Sequence, residues 1–290
     1  MPLSAVWLHL RLPFSIYLLP IYLFAVSQSP APDWGRVLFV GFVIHVLMYP
    51  AANTYNSYFD KDEGSVNGLE APPPVDRTLL YVSLGLQAGA LLLGLLVNYQ
   101  FVVFIAVYGL IMMAYSDDRV RLKKYPVTSW LVISALQGGF TYLMCYVSLN
   151  NLPLSTLTQP RPLLAGLIAT GNLLALYPMT QVYQHEEDAR RGDMTFSRLL
   201  GVRGTFVCAL LFLLLSGLGF WFFYRGETPF YLLLLFMTPT TGFFLSWLRR
   251  VWTDPQRVDF RSANRLTQLT GWGMNAYFLT LLLLDLGQPL

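Results

Sequence analysis

Nine long apolar runs, separated by short connections, constrain this chain more than any other feature. They cover approximately 12–28, 37–59, 78–97, 100–116, 127–149, 162–183, 204–224, 229–248 and 266–286. A segment crossing a bilayer must satisfy its backbone polar groups internally, and a run of about 20 apolar residues does so as a helix. The short alternating segments of a membrane β-barrel are absent from the pattern. Composition agrees: 55% of residues are hydrophobic and 12% charged, against about 25% charged in soluble domains. The expectation is an all-α, multi-pass membrane protein with nine transmembrane helices. The longest connections, 60–77, 184–203 and 249–265, are too short for a soluble domain, so residues 1–290 are read as one domain. The first run is read as an uncleaved helix rather than a signal peptide.

Charge sets the expected orientation. The N-terminal stretch and the even-numbered connections carry 16 of the 19 basic residues, leaving Arg36, Arg161 and Arg225 for the other face. By the positive-inside rule the basic face and the N-terminus are cytoplasmic, and nine spans put the C-terminus outside. In a bacterium this would be the inner membrane. The same face holds 13 of the 16 acids, so it is built to hold something charged and is not merely a lipid-binding surface. Cys145 and Cys208 lie far apart in apolar runs and read as buried hydrophobes. His45 and Gln87 are the few polar residues deep in the spans, too few for a transport path.

Two acidic segments emerge on that face. "NTYNSYFDKDEG" leaves the second span and "QHEEDARRGDMT" the sixth, which suggests an internal four-helix pseudo-repeat with a site between its halves. At helical spacing Asn53, Asn56 and Asp60 form one oxygen-bearing stripe, and Gln184, Glu187 and Asp188 another. Such hard oxygen donors suit Mg2+, which is typically held by a few carboxylates and substrate phosphates. Asp62 and Asp193 fall off these faces when the helical register is extended. After the fourth span, "YSDDRVRLKKYP" gathers Arg119, Arg121, Lys123 and Lys124, suited to clamping phosphate oxygens.

The combination resembles the UbiA superfamily of intramembrane prenyltransferases, over nearly the whole chain. "NSYFD" matches the family's NxxxDxxxD motif through Asn56 and Asp60, and "PPPV" resembles the proline-rich stretch that often follows it. "EEDARRGDMT" is similar to DxExDxxxGxxT through Glu186, Asp188, Gly192 and Thr195, and "YSDDRVRLKK" to the family's basic loop through Tyr115, Ser116, Arg121, Leu122 and Lys123. The resemblance implies two Mg2+ ions held by Asn56, Asp60, Gln184, Glu187 and Asp188, with Asn56, Asp60 and Asp188 central to catalysis. It implies Arg119, Arg121, Lys123 and Lys124 on the diphosphate of an isoprenyl diphosphate. The prenyl group would pass to a lipophilic acceptor, such as an aromatic ring, within membrane lipid. A terpene cyclase and a catalytically weak prenyl-lipid-binding relative are the alternatives; no nucleic acid is implied.

The chain departs from the pattern in the outer carboxylates. Gly64 stands at the last Asp of the first motif and Gln184 at the first Asp of the second; Asp117 and Asp118 stand in the region of the usual proline pair. Gln184→Asp and Gly64→Asp would therefore be expected to ease Mg2+ binding, unless the Gln184 amide makes a hydrogen bond of its own. The topology has its own test. Cysteines introduced near Arg36, Arg161 and Arg225 are expected to react with an impermeant reagent added to intact cells, and those near Lys61, Lys123 and Arg190 are not. External labelling at Lys123 would reverse the orientation.

Overall fold

The structure is a computed structural model describing residues 1–66 and 68–287. Its helices are α1 (Leu3–Leu10), α2 (Leu12–Ser27), α3 (Trp34–Phe42), α4 (Tyr49–Asp60), α5 (Arg77–Gly94), α6 (Tyr99–Ser116), α7 (Pro126–Ala135), α8 (Thr141–Asn150), α9 (Pro160–Met179), α10 (His185–Arg191), α11 (Phe196–Phe223), α12 (Thr228–Thr253) and α13 (Phe260–Leu283). Among the described residues there is no strand, only an isolated bridge between Val66 and Leu69.

Several of these helices join end to end. Arg11 adopts a left-handed conformation (φ 50°) between α1 and α2, just before Pro13, which has no N–H to continue the first helix. A π-turn over Val43–Met48 joins α3 to α4; Pro50 lies just beyond it and cannot donate to the preceding turn. A second π-turn, Leu136–Phe140, joins α7 to α8. Gly201 (φ 67°) breaks the start of α11 from the rest; the uninterrupted apolar run begins only after Arg203.

Eight segments are long and apolar enough to cross a membrane: Leu3–Ser27, Trp34–Asp60, α5, α6, Pro126–Asn150, α9, α11 and α12. The ninth expected span, α13, has the length, with 24 residues, but not the apolarity. Its polar residues have inward tasks. Thr267 and Thr270 line the central cavity, and Asn275 Nδ2 donates to the Ile16 carbonyl of α2 at 3.0 Å. α13 packs between α2 and α12. Outward-facing leucines such as Leu38, Leu92, Leu214 and Leu235 are exposed, the surface a bilayer covers and water does not tolerate.

His45 and Gln87 serve packing. His45 Nδ1 shares a hydrogen bond with Ser15 Oγ at 2.9 Å, and Gln87 Nε2 donates to the Ile105 carbonyl at 3.2 Å. Phe24 is buried against Phe278 at 4.9 Å, Phe220 at 5.6 Å and Tyr142 at 4.9 Å, closing the end of the bundle opposite the acidic segments.

Small residues let α9 approach the α7–α8 segment. A Cβ added at Gly138 would lie 2.7 Å from Thr170 backbone atoms, whereas one at Gly85 meets nothing within 4 Å. Gly138→Val is expected to destabilise the bundle by about 1–3 kcal/mol through overpacking. Thermal unfolding in detergent should show a lower midpoint for it, and no loss for Gly85→Ala.

Candidate active site

Both acidic segments meet at one end of the bundle, around a cavity of about 250 Å³. α4 runs unbroken to Asp60, so Asn53, Asn56 and Asp60 share a face, as their spacing requires, and all three line the cavity. Asn56 Nδ2 donates to Asp60 Oδ2 at 2.7 Å and to Ser116 Oγ at 3.0 Å. Across the cavity, Gln184 caps the short α10, and Glu187 and Asp188 lie in its first turn.

The basic loop divides. Lys123 is buried and reaches the cavity, with Nζ 2.5 Å from Asp60 Oδ1 and 3.5 Å from Asp193 Oδ2. Arg121 lies beside it, holding Asp193 through Nε at 3.2 Å and Nη2 at 3.0 Å, and Asp118 at 2.7 Å. Arg119 and Lys124 are exposed and do not line the cavity. The left-handed Arg121 (φ 46°) starts a tight turn over Leu122–Lys124, which sends Lys123 inward and its neighbours outward. Of the four cations expected on the diphosphate, Arg119, Arg121, Lys123 and Lys124, the cavity wall contains Lys123, with Arg121 behind it.

Four charged residues lie in the cavity wall outside the predicted stripes. Asp62 and Asp193 are there because the helices end before them: Lys61 (φ 49°) and Gly192 (φ 74°) take left-handed conformations and turn the chain. Extending helical register past those turns put both on the wrong face. Arg191 closes α10. Arg11 comes from the α1–α2 break, buried, with Nη2 donating to Ser57 Oγ at 2.8 Å and Nε without a partner. Its one sequence signal was a lone charge just before the first apolar run.

Burial pushes the Asp188 carboxyl up to about 6, reinforced by Asp193 and Asp62 and opposed by the hydrogen bond from Thr195 and by Lys123. Burial and Asp60 likewise raise Asp62. Burial would raise Asp193 as well, but Arg121 and Lys123 hold it below the usual carboxylate range. The cavity is thus short of positive charge. Five carboxylates (Asp60, Asp62, Glu187, Asp188 and Asp193) and three cations (Arg11, Lys123 and Arg191) line it, a formal charge of −2.

That set fits Mg2+. The polar lining offers carboxylate, amide and hydroxyl oxygens, with no His or Cys, as a hard cation prefers. Among the described residues no three Asp, Glu, His or Cys side chains converge as a ready-made metal cluster, so substrate oxygens would complete the coordination. Beyond the charges the walls turn apolar. Phe14, Leu18, Ile21 and Phe24 of α2, with Leu173, Phe220, Met274 and Phe278, line the rest. Arg11 and Phe24 are about 20 Å apart along the helix at 1.5 Å per residue. Tyr115 and Tyr177 join their hydroxyls at 2.6 Å between the two zones.

The two positions that depart from the motif pattern lie in one seam. Gln184 Nε2 donates to the Ser65 carbonyl at 2.9 Å. Glu187 Oε1 accepts from the Glu63 and Gly64 N–H groups, each at 3.3 Å, and a Cβ added at Gly64 would run into Glu187 Oε2. Neither position is an empty ligand place. An Asp at 184 cannot donate, and an Asp at 64 displaces Glu187 and repels it. Gln184→Asp and Gly64→Asp are therefore each expected to raise, by about 5-fold, the Mg2+ concentration needed for isoprenyl diphosphate binding, the worth of about one hydrogen bond. A Mg2+ titration in which either variant needs less than wild type would restore the reading of lost ligands.

The fold and the sequence agree with known proteins. Solved structures similar to this chain include that of digeranylgeranylglyceryl phosphate synthase, at 17% identity and TM-score 0.59, covering 96% of both chains. A UbiA homologue from Archaeoglobus fulgidus bound to GPP and Mg2+ is 14% identical, with TM-score 0.66, covering 96% of this chain and 99% of that one. The same homologue bound to Cd2+ has TM-score 0.67 at 14% identity, covering 95% and 98%. No curated protein sequence matches significantly. The model of the UbiA prenyltransferase family matches residues 16–268, most of the chain and both acidic segments, and the chain belongs to that family.

Proposed function

We propose that the protein transfers an isoprenyl group from an isoprenyl diphosphate to a lipophilic acceptor within the membrane, with Mg2+ as cofactor. One observation carries this reading: a single cavity joins a charged, oxygen-rich end to an apolar channel. An amphiphile with a diphosphate head and a hydrocarbon tail matches both ends. The solved relatives bound to GPP or DMAPP with Mg2+ support the same substrate class. With the basic face cytoplasmic, as the charge distribution implies, a water-soluble head group reaches the site from the cytoplasm while the acceptor arrives from the bilayer.

The roles follow from the side chains. Asn56, Asp60 and Asp188 would hold the metal through their oxygens; bound there, Mg2+ would supply neutralisation of the diphosphate's negative charge. Lys123, held on Asp60, is within reach of the same space and is the cation best placed to take a phosphate oxygen. Arg11 offers its unpartnered Nε as a second donor to the head group. Cleavage of the allylic C–O bond leaves its electron pair on the diphosphate, and a new bond from the acceptor to the prenyl carbon releases a proton. Phe14, Phe24, Phe220 and Phe278 keep water from the cationic carbon. Gln184 and Glu187, on this reading, hold the two acidic segments together.

Asp60→Ala and Asp188→Ala should each lower turnover at least about 100-fold, the scale for removing a group that stabilises developing charge, while the purified proteins remain folded and monodisperse. The assay follows pyrophosphate release from isoprenyl diphosphates of several lengths with Mg2+. Release that requires an added acceptor supports transfer, and release without one favours cyclisation. Near-normal rates in both variants would remove these carboxylates from the site.

A further inference from the structure

Arg191 gathers four oxygens from the two acidic segments. Nη1 donates to the Asp60 carbonyl at 2.7 Å and to Asp62 Oδ1 at 2.5 Å; Nη2 donates to the Lys61 carbonyl at 3.2 Å and to Glu187 Oε1 at 2.8 Å. The two carbonyls lie at the C-terminal end of α4, where the helix presents negative partial charge. The two carboxylates come from opposite segments. These four hydrogen bonds hold the side chain, and Gly192, in a left-handed conformation, ends α10 one residue later. A guanidinium stays charged at every pH a protein tolerates, so this is a permanent cation whose partners are those a metal would seek.

The remaining acids are not equivalent. Asp193 is held by Arg121 and Lys123, and Asp60 by Lys123. Asp188 accepts a hydrogen bond from Thr195 at 2.9 Å and, among the described residues, makes no ion pair. A divalent ion therefore finds one place of unmet negative charge, between the Asn56–Asp60 pair and Asp188. The Asp62–Glu187 side is already bridged, and a second divalent ion there would sit beside a fixed positive charge.

We infer that Arg191 is a built-in substitute for a second metal ion, so that the site binds one divalent cation with the diphosphate and not two. The inference rests on the Mg2+–diphosphate reading of the same cavity. It also assigns a reason to the departures at Gly64 and Gln184: the Gly64 N–H, donating to Glu187, and the Gln184 amide, donating to the Ser65 carbonyl, join the two segments beside the Arg191 bridge.

Mn2+ in place of Mg2+ lets bound ions be counted by electron paramagnetic resonance. The measurement uses purified full-length protein saturated with a non-reactive thiolodiphosphate analogue of an isoprenyl diphosphate, and needs no turnover. One Mn2+ per chain is expected for wild type and for Arg191→Lys, which keeps the charge. Two are expected for Arg191→Gln, which leaves Asp62 and Glu187 without their cation. Two ions in wild type would overturn the inference while leaving the proposed function intact, and that count decides the matter even if Arg191→Gln does not fold. A single ion in a folded Arg191→Gln would also overturn it. No bound Mn2+ in any form would overturn the metal–diphosphate reading and this inference with it.

Discussion

The buried contact between Lys123 and Asp60 organises this end of the molecule. Taking either charge out of water alone is costly, and the pair is tolerable because each neutralises the other at 2.5 Å. The contact joins the α6–α7 turn to the end of α4, and Lys123 then reaches Asp193 beyond α10. Arg191 makes a second such bridge from α10 back to α4. Three connections that lie far apart in the chain are thereby tied into one rim. Breaking one partner leaves an uncompensated charge, so the rim holds as a unit, and its helices must end where they do.

Much of the fold was legible because lipid permits so few solutions. The long apolar runs had to be helices, and their order and approximate bounds followed; of the nine expected spans, eight are long and apolar enough to cross a bilayer. α13 shows where apolarity stops being a guide: a helix whose Thr267 and Thr270 line the cavity and whose Asn275 donates to α2 need not be apolar, though it has the length of its neighbours. The stripe Asn53–Asn56–Asp60 was legible for the same reason that α4 is regular. Asp62 and Asp193 were not, because each follows a left-handed residue that rotates the chain. Helical spacing carries information only as far as the helix does. Arg119 and Lys124 failed in the opposite direction: clustered in sequence with Lys123, they are separated from it by a tight turn.

Motif comparison and physical inspection read Gly64 and Gln184 differently. Matched against a pattern, each is a missing carboxylate. In the folded chain, Gly64 leaves room for Glu187, and its N–H donates to that side chain. Gln184 contributes the one thing an Asp could not, a donor for the Ser65 carbonyl. Two substitutions on separate segments thus serve one seam, and they are coupled: a side chain at 64 would evict the carboxylate that Arg191 also holds. Independent erosion of two ligands gives no reason for both positions to make hydrogen bonds across the same seam.

The seam also bears on how the charged end and the apolar channel work together. A reactive allylic cation survives only where water is excluded and the departing diphosphate is held away from it. The rings packed around Phe24 make the far end aromatic, and the bridged rim borders the near end. Fixed cations on the rim hold negative charge at one position without the reorganisation that water would require. Arg191 and Arg121 are each spent on carboxylates, which leaves Lys123 and Arg11 as the cations facing the cavity with capacity for a new anion. Lys123 must give up part of its hold on Asp60 to use it. On the proposed reading, a cation arriving at Asp60 would weaken that hold, so metal binding and release of Lys123 toward a phosphate oxygen would favour one another, and head group and metal would complete the site together.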